Sequence, residues 1–131
     1  MSGVEWLDED NGIVVWRFTE GQSMDDIMAD THVFADLINS ANRRTYTIVD
    51  FLAMKSVPSH ALSRFPEMSK LIPAGNKRSE VIALISQRSL ITMLTEVFAR
   101  VYPDFKNRFV YYASVQEALD YIYSRIQETA A

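Results

Sequence analysis

An α/β domain carried on one mainly parallel sheet is the fold class this chain predicts. Three observations predict it. Thr45–Phe51 (TYTIVDF) and Val81–Ile85 are strand-like runs without polar alternation, as strands buried on both faces are. Stretches with apolar residues at helical spacing separate such runs. Near the start, Asn11-Gly12 is a strong hairpin signal between two short apolar runs. The expected order is β-β-α-β-α-β-α-β-α, a single sheet in sequential strand order with an antiparallel N-terminal edge strand and about four helices.

The elements follow in order. Val4–Leu7 and Ile13–Phe18 form the hairpin. With Asn11-Gly12 as a two-residue loop, Asp10 pairs with Ile13, Leu7 with Trp16 and Trp6 with Arg17. That register puts Leu7, Val14, Trp16 and Phe18 on one face and Val4, Trp6, Ile13 and Val15 on the other. It also lays the Arg17 guanidinium over the Trp6 indole. The first helix opens at Ser23, a good N-cap, with Asp25 and Asp26 at its positive end. Its stripe is Met24, Ile27, Met28, Thr31, Phe34, Ala35 and Ile38, and Asn42 is the expected stop.

After the Thr45–Phe51 strand, Pro58 precedes Ser59, which can cap a short helical turn to Arg64. Pro66 forces a kink or restart, with helix to about Ile72. Val81–Ile85 is the next strand. A helix over about Ser89–Tyr102 carries Leu90, Met93, Leu94, Val97 and Val101 on one face, and Pro103 stops it. Arg108–Tyr112 is the last strand. The last helix has a capping box, Ser114 with Glu117, ahead of Val115, Ala118, Leu119, Ile122 and Ile126.

At 131 residues, with no linker or repeat, residues 1–131 read as a single domain able to bury roughly two-thirds of its unfolded surface. No apolar stretch is long enough to span a membrane. No basic segment leads into an apolar run, so no signal peptide is expected and a cytoplasmic setting is. Cys is absent, which removes disulfides, thiolate metal sites and thiol chemistry. The net charge of −4 gives no counterion-release gain on a phosphate backbone, so no nucleic-acid partner is expected.

Motifs for the common chemistries are missing: no G-x-G-x-x-G, no P-loop, no nucleophile elbow and no H-E-x-x-H. His32 reads as a surface residue of the first helix. A sequentially ordered sheet has no point where strand order reverses, which is where such folds bind cofactors. The expectation is no cofactor, no metal and no catalysis. The C-terminal half is rich in Tyr, a pattern that suits a core edge or a self-association patch.

One segment carries a functional signal, TIVDFLAMKSVPSHALSRF from Thr47 to Phe65. A buried strand ends at Asp50, where a carboxylate commonly caps the following loop through backbone amides. An apolar connection follows, and Pro58-Ser59-His60-Ala61-Leu62 opens a helix. This arrangement resembles the STAS domains, typified by bacterial anti-sigma factor antagonists, in which a strand ending in Asp leads to Asp-Ser-Ser-Gly-Leu at a helix start. Aligned on Asp50 and Leu62, Ser59 takes the place of the Ser that a partner kinase phosphorylates. Pro58, His60 and Ala61 stand where the family has Asp, Ser and Gly. The stretch VFARVYPDFKNRFVYYASVQEALDYI is similar to small, uncharacterised bacterial STAS-like proteins.

The resemblance implies a non-catalytic regulatory or protein-interaction module with a protein partner or a second copy. Ser59 would be its phosphoacceptor or helix cap, with Asp50, Pro58 and His60 as switch-loop neighbours. The alternative is a module for a small apolar ligand or lipid. Met24, Met28, Met54, Met68 and Met93 would line an adaptable pocket, although helical spacing also fits them to an ordinary core.

Overall fold

Val4–Asp8 (β1) and Ile13–Thr19 (β2) open the sheet in the computed structural model, which describes residues 3–41, 43–54, 63, 64, 67, 79–85 and 109–130. Helix α1 spans Met24–Ser40. Strands β3 (Thr45–Ala53), β4 (Ser79–Ile85) and β5 (Phe109–Tyr112) follow, and helix α2 is Val115–Ala130. The strands lie in the order β1-β2-β3-β4-β5. β1 runs antiparallel to β2, and the pairs β2–β3, β3–β4 and β4–β5 are parallel.

The expected plan of about four helices on a mainly parallel sheet is corrected by this arrangement. Among the described residues the sheet is mixed and two helices have defined bounds, in the order β-β-α-β-β-β-α, while Ser63, Arg64 and Glu67 are also helical. The sheet is mixed because a short hairpin loop can join only antiparallel neighbours, whereas a long connection returns the chain for parallel pairing. The helices expected around Ser59–Ile72 and Ser89–Tyr102 fall largely outside the described residues, as does the expected stop at Asn42. No helix among the described residues is long and apolar enough to cross a membrane.

The hairpin departs from its expected register. Its loop is Glu9–Gly12, four residues long, closed by the Gly12 amide on the Glu9 carbonyl at 3.1 Å. The cause is Asp8. Its carboxylate accepts the Asn11 amide at 3.2 Å and the Asn11 side-chain amide at 2.8 Å, a side-chain turn that outcompetes the tight backbone one. Val4 therefore pairs with Trp16 and Trp6 with Val14, with a register irregularity before Asp8. A shift of one residue exchanges the faces of a strand. Val4 and Trp6 pack with α1, while Leu7 packs on the α2 side. Trp6 and Arg17 thus lie on opposite faces. Arg17 pairs instead with Glu5 at 2.5 Å, an exposed ion pair of small worth.

Gly12 is required twice over. Its φ is +73°, and a Cβ there would stand 2.7 Å from the Arg44 carbonyl oxygen, where β3 begins. The Gly12 carbonyl in turn accepts the Tyr46 amide at 2.8 Å.

α1 forms where its caps and stripe place it. Ser23 Oγ accepts the Asp26 amide at 3.1 Å, and Asp26 accepts the Ser23 amide at 3.0 Å, a complete capping box. All seven stripe residues are buried, along with Asp30. At the start of α2, Ser114 Oγ accepts the Glu117 amide at 3.2 Å, and Glu117 accepts the Ala113 amide at 3.2 Å. The sheet separates two cores. Val4, Val14, Trp16, Phe18, Val49 and Met54 face α1, and Ile13, Val15, Tyr46, Ile48, Ala83 and Ile85 face α2.

Candidate functional site

The carboxyl ends of β2 and β3, with the N-terminus of α1 beside them, form the candidate site. β3 runs buried from Thr45 to Val49 and surfaces at Asp50. There the Asp50 carboxylate accepts the Leu52 amide at 2.9 Å; the strand does not end at Asp50 as expected but runs on to Ala53, so this contact lies inside β3 and not in a following loop. Asp50 lies opposite Arg17 on β2 and Ile85 on β4. The Arg17 guanidinium goes to Glu5, so the register neighbour does not neutralise Asp50 by that contact. Leu52 stands 47% exposed just beyond. The chain then turns at the Met54 amide, which donates to the Phe51 carbonyl at 3.0 Å, and Met54 returns into the core. Ser59, Pro58 and His60 lie outside the described residues, so Asp50 is the one candidate whose surroundings are defined.

Sequence reasoning missed the ties around this edge. Arg64 holds Glu67 with two contacts, at 3.0 and 3.3 Å, and Asp25 in the first turn of α1 at 3.0 Å. The segment downstream of Ser59 is thereby attached to the start of α1. The hydrogen bond from Arg64 keeps the Glu67 carboxyl below its ordinary range, with His32 nearby adding to the effect. Glu67, and then Asp25, raise the Arg64 guanidinium further. Asp25 is legible in sequence as a first-turn acid. Its partner 39 residues away is not.

At the other end of the sheet, Tyr123 of α2 donates to Asp8 at 2.6 Å. This bond is the main reason the Asp8 carboxyl titrates below its usual range, with Asn11 next. The same bond pushes the Tyr123 phenol up. Burial, and then the neighbouring Tyr121, raise Tyr112; the two rings lie 5.5 Å apart. These are structural ties, with no cleft chemistry among them. Among the described residues, no three His, Cys, Asp or Glu converge as metal ligands.

Within the sheet, Trp16 Nε1 and Thr47 Oγ1 are buried polar atoms with no hydrogen-bond partner among the described residues. Thr47 is fully buried and Trp16 is 4% exposed. The equally buried Thr31 shows the ordinary outcome, donating to the Ile27 carbonyl at 2.8 Å. An unmade buried hydrogen bond costs about 1–3 kcal/mol. The visible signal in sequence is a hydroxyl at the centre of an otherwise apolar strand and an indole within a β-branched one.

Comparison of the chain with protein-family models, with curated proteins and with solved structures finds no match.

Proposed function

We propose that this protein is a non-catalytic regulatory module of STAS-like type, cytoplasmic, acting by contact with a protein partner or a second copy and switched by phosphorylation at Ser59. The observation that carries the reading is Asp50. It ends the buried part of β3 and accepts the Leu52 amide, at the position where the resemblance around Thr47–Phe65 has its Asp. Exposed Leu52 and Tyr111, both 47% accessible near the carboxyl ends of β3 and β5, supply apolar area for a contact.

The test is capture from a lysate of the source cells by immobilised wild type, Ser59→Ala, Ser59→Asp and Leu52→Asp, with peptide mass analysis of the native protein. Phosphate on Ser59, and capture changed by Ser59→Asp and by Leu52→Asp at unchanged melting temperature, support the reading. Identical capture by all four, with Ser59 unmodified, defeats it.

A second reading, a module for a small apolar ligand, is favoured by one observation, the unpartnered Trp16 Nε1 and Thr47 Oγ1 beneath α1.

A further inference from the structure

We infer that the layer between α1 and strands β2 and β3 takes a small, neutral, mostly apolar molecule whose carbonyl oxygen accepts hydrogen bonds from Trp16 Nε1 and Thr47 Oγ1. The inference rests on the ligand-binding reading and is independent of Ser59.

Three observations converge on it. The two polar atoms are buried and unpartnered on one side of the sheet, on adjacent strands. Thr47 pairs with Val14, and Trp16 lies two residues further along β2. The indole N–H only donates and the threonine hydroxyl is able to donate, so one acceptor serves both, and a carbonyl oxygen has two lone pairs to offer.

The surroundings select against water. A buried water typically makes about three hydrogen bonds, and these two groups offer it no more than two. Most of the layer is apolar, with Val4, Val14, Phe34 and Ile38 among others, and the buried Thr31 hydroxyl is already used on the Ile27 carbonyl. An oxygen attached to an apolar chain or ring satisfies both donors and keeps apolar contact with the rest. The side chains in this layer also repack readily. Met24, Met28 and Met54 are all in it, and the unbranched thioether adapts to irregular space. Charge selects against a fatty-acid carboxylate, because the buried charged residue of this layer among those described, Asp30, is itself acidic and a buried unpaired charge is costly. The class is therefore a medium-chain ketone, ester or amide.

The probe is 2-octanone, titrated within its solubility against the full chain. The Trp6→Phe background leaves Trp16 as the sole indole. Fluorescence and thermal melting read binding, with octane as the control that lacks the oxygen. The expected result is a saturable change in Trp16 emission with a rise in melting temperature, and a weaker response to octane. Thr47→Val, which keeps shape and removes the hydroxyl, weakens binding about three- to tenfold. Trp16→Phe, read by melting alone, does the same. Circular dichroism checks that each variant is folded. If a variant does not fold, the ketone-against-octane comparison on the wild type still decides.

Saturable binding that is equal in wild type, Thr47→Val and Trp16→Phe overturns this site and leaves the broader ligand-binding reading standing. No saturable binding of either probe overturns both.

Discussion

The two sides of the sheet are built differently. On the α2 side the core is β-branched and tight. Ile13, Val15, Ile48, Ala83, Ile85, Ala118 and Ile122 are 0% exposed, and Tyr46 is 3%. On the α1 side the core is aromatic and thioether-rich, and most of its members keep a little accessibility, Met24 at 8%, Val49 and Met54 at 9%. Trp16 stacks on Phe18 at 5.0 Å and meets Phe34 at 5.1 Å, and Phe18 stacks on Phe51 at 4.5 Å. Trp16 Nε1 and Thr47 Oγ1, buried in the sheet without a hydrogen-bond partner, are on this second side. Stiff branched side chains specify one packing. Flat rings and flexible thioethers tolerate several. The α2 side is therefore the stiffer layer and the α1 side the more adaptable one.

The sharpest way to break this comparison is a matched truncation. Ile48→Ala removes branched volume from the tight layer and is expected to cost toward the upper part of about 2–5 kcal/mol. Met28→Ala on the other side is expected near the lower end, because neighbouring thioethers refill the space. Urea unfolding of the two variants decides, and a larger loss for Met28→Ala would reverse the assignment of stiffer and more adaptable layer.

Next in size is the glycine pair. Gly12→Ala places a methyl against the Arg44 carbonyl at φ +73°, whereas Gly21→Ala at φ +84° meets open space. Gly21→Ala should cost about 1 kcal/mol from the left-handed backbone alone, and Gly12→Ala up to about 3 kcal/mol. Equal midpoints in urea would show that the approach of β3 to the hairpin is looser than its geometry.

Ser23→Ala breaks the capping box that fixes the start of α1 over the softer layer, at about 1 kcal/mol. Amide exchange should quicken in the first turns of α1 and stay unchanged in α2. Quickening in both helices alike would mean that the two layers do not open separately.

The smallest effect concerns the bond that ties the hairpin to the tight layer. Asp8 is held ionised by Tyr123 and Asn11, so its folded pKa lies below its unfolded one. Its stabilisation is complete above the ordinary carboxylate value of about 4 and is lost as pH falls through the lower folded value. Tyr123→Phe removes the largest contribution. The urea midpoint of that variant should fall less steeply with acid than the wild type's, and parallel curves would show the bond to be unused in solution.

Much of the local structure was legible in the residues. Helix α1, its Ser23 cap and its seven-residue stripe stand as the spacing predicts, and Asp50 accepts an amide two residues on, although β3 runs past it to Ala53. These features depend on groups two to four residues apart, so a reading along the chain reaches them. The hairpin was half legible. Asn-Gly marks the turn, yet the Asp8 side chain chose a four-residue loop and so turned Val4, Trp6 and Leu7 over. The α/β class survives only in its broad sense, with a mixed sheet and two helices of defined bounds among the described residues.

By itself the sequence determined where the five strands and helices α1 and α2 form and how those two helices begin, because caps and periodicity act over one or two turns. Only the tertiary structure decided what meets what. Tyr123 reaches Asp8 across 115 positions, and Arg64 reaches Asp25 across 39. Thr47 and Trp16 became unpartnered when two strands and a helix closed over them. Those outcomes depend on register and on which face each strand turns inward, and a shift of one residue changes both.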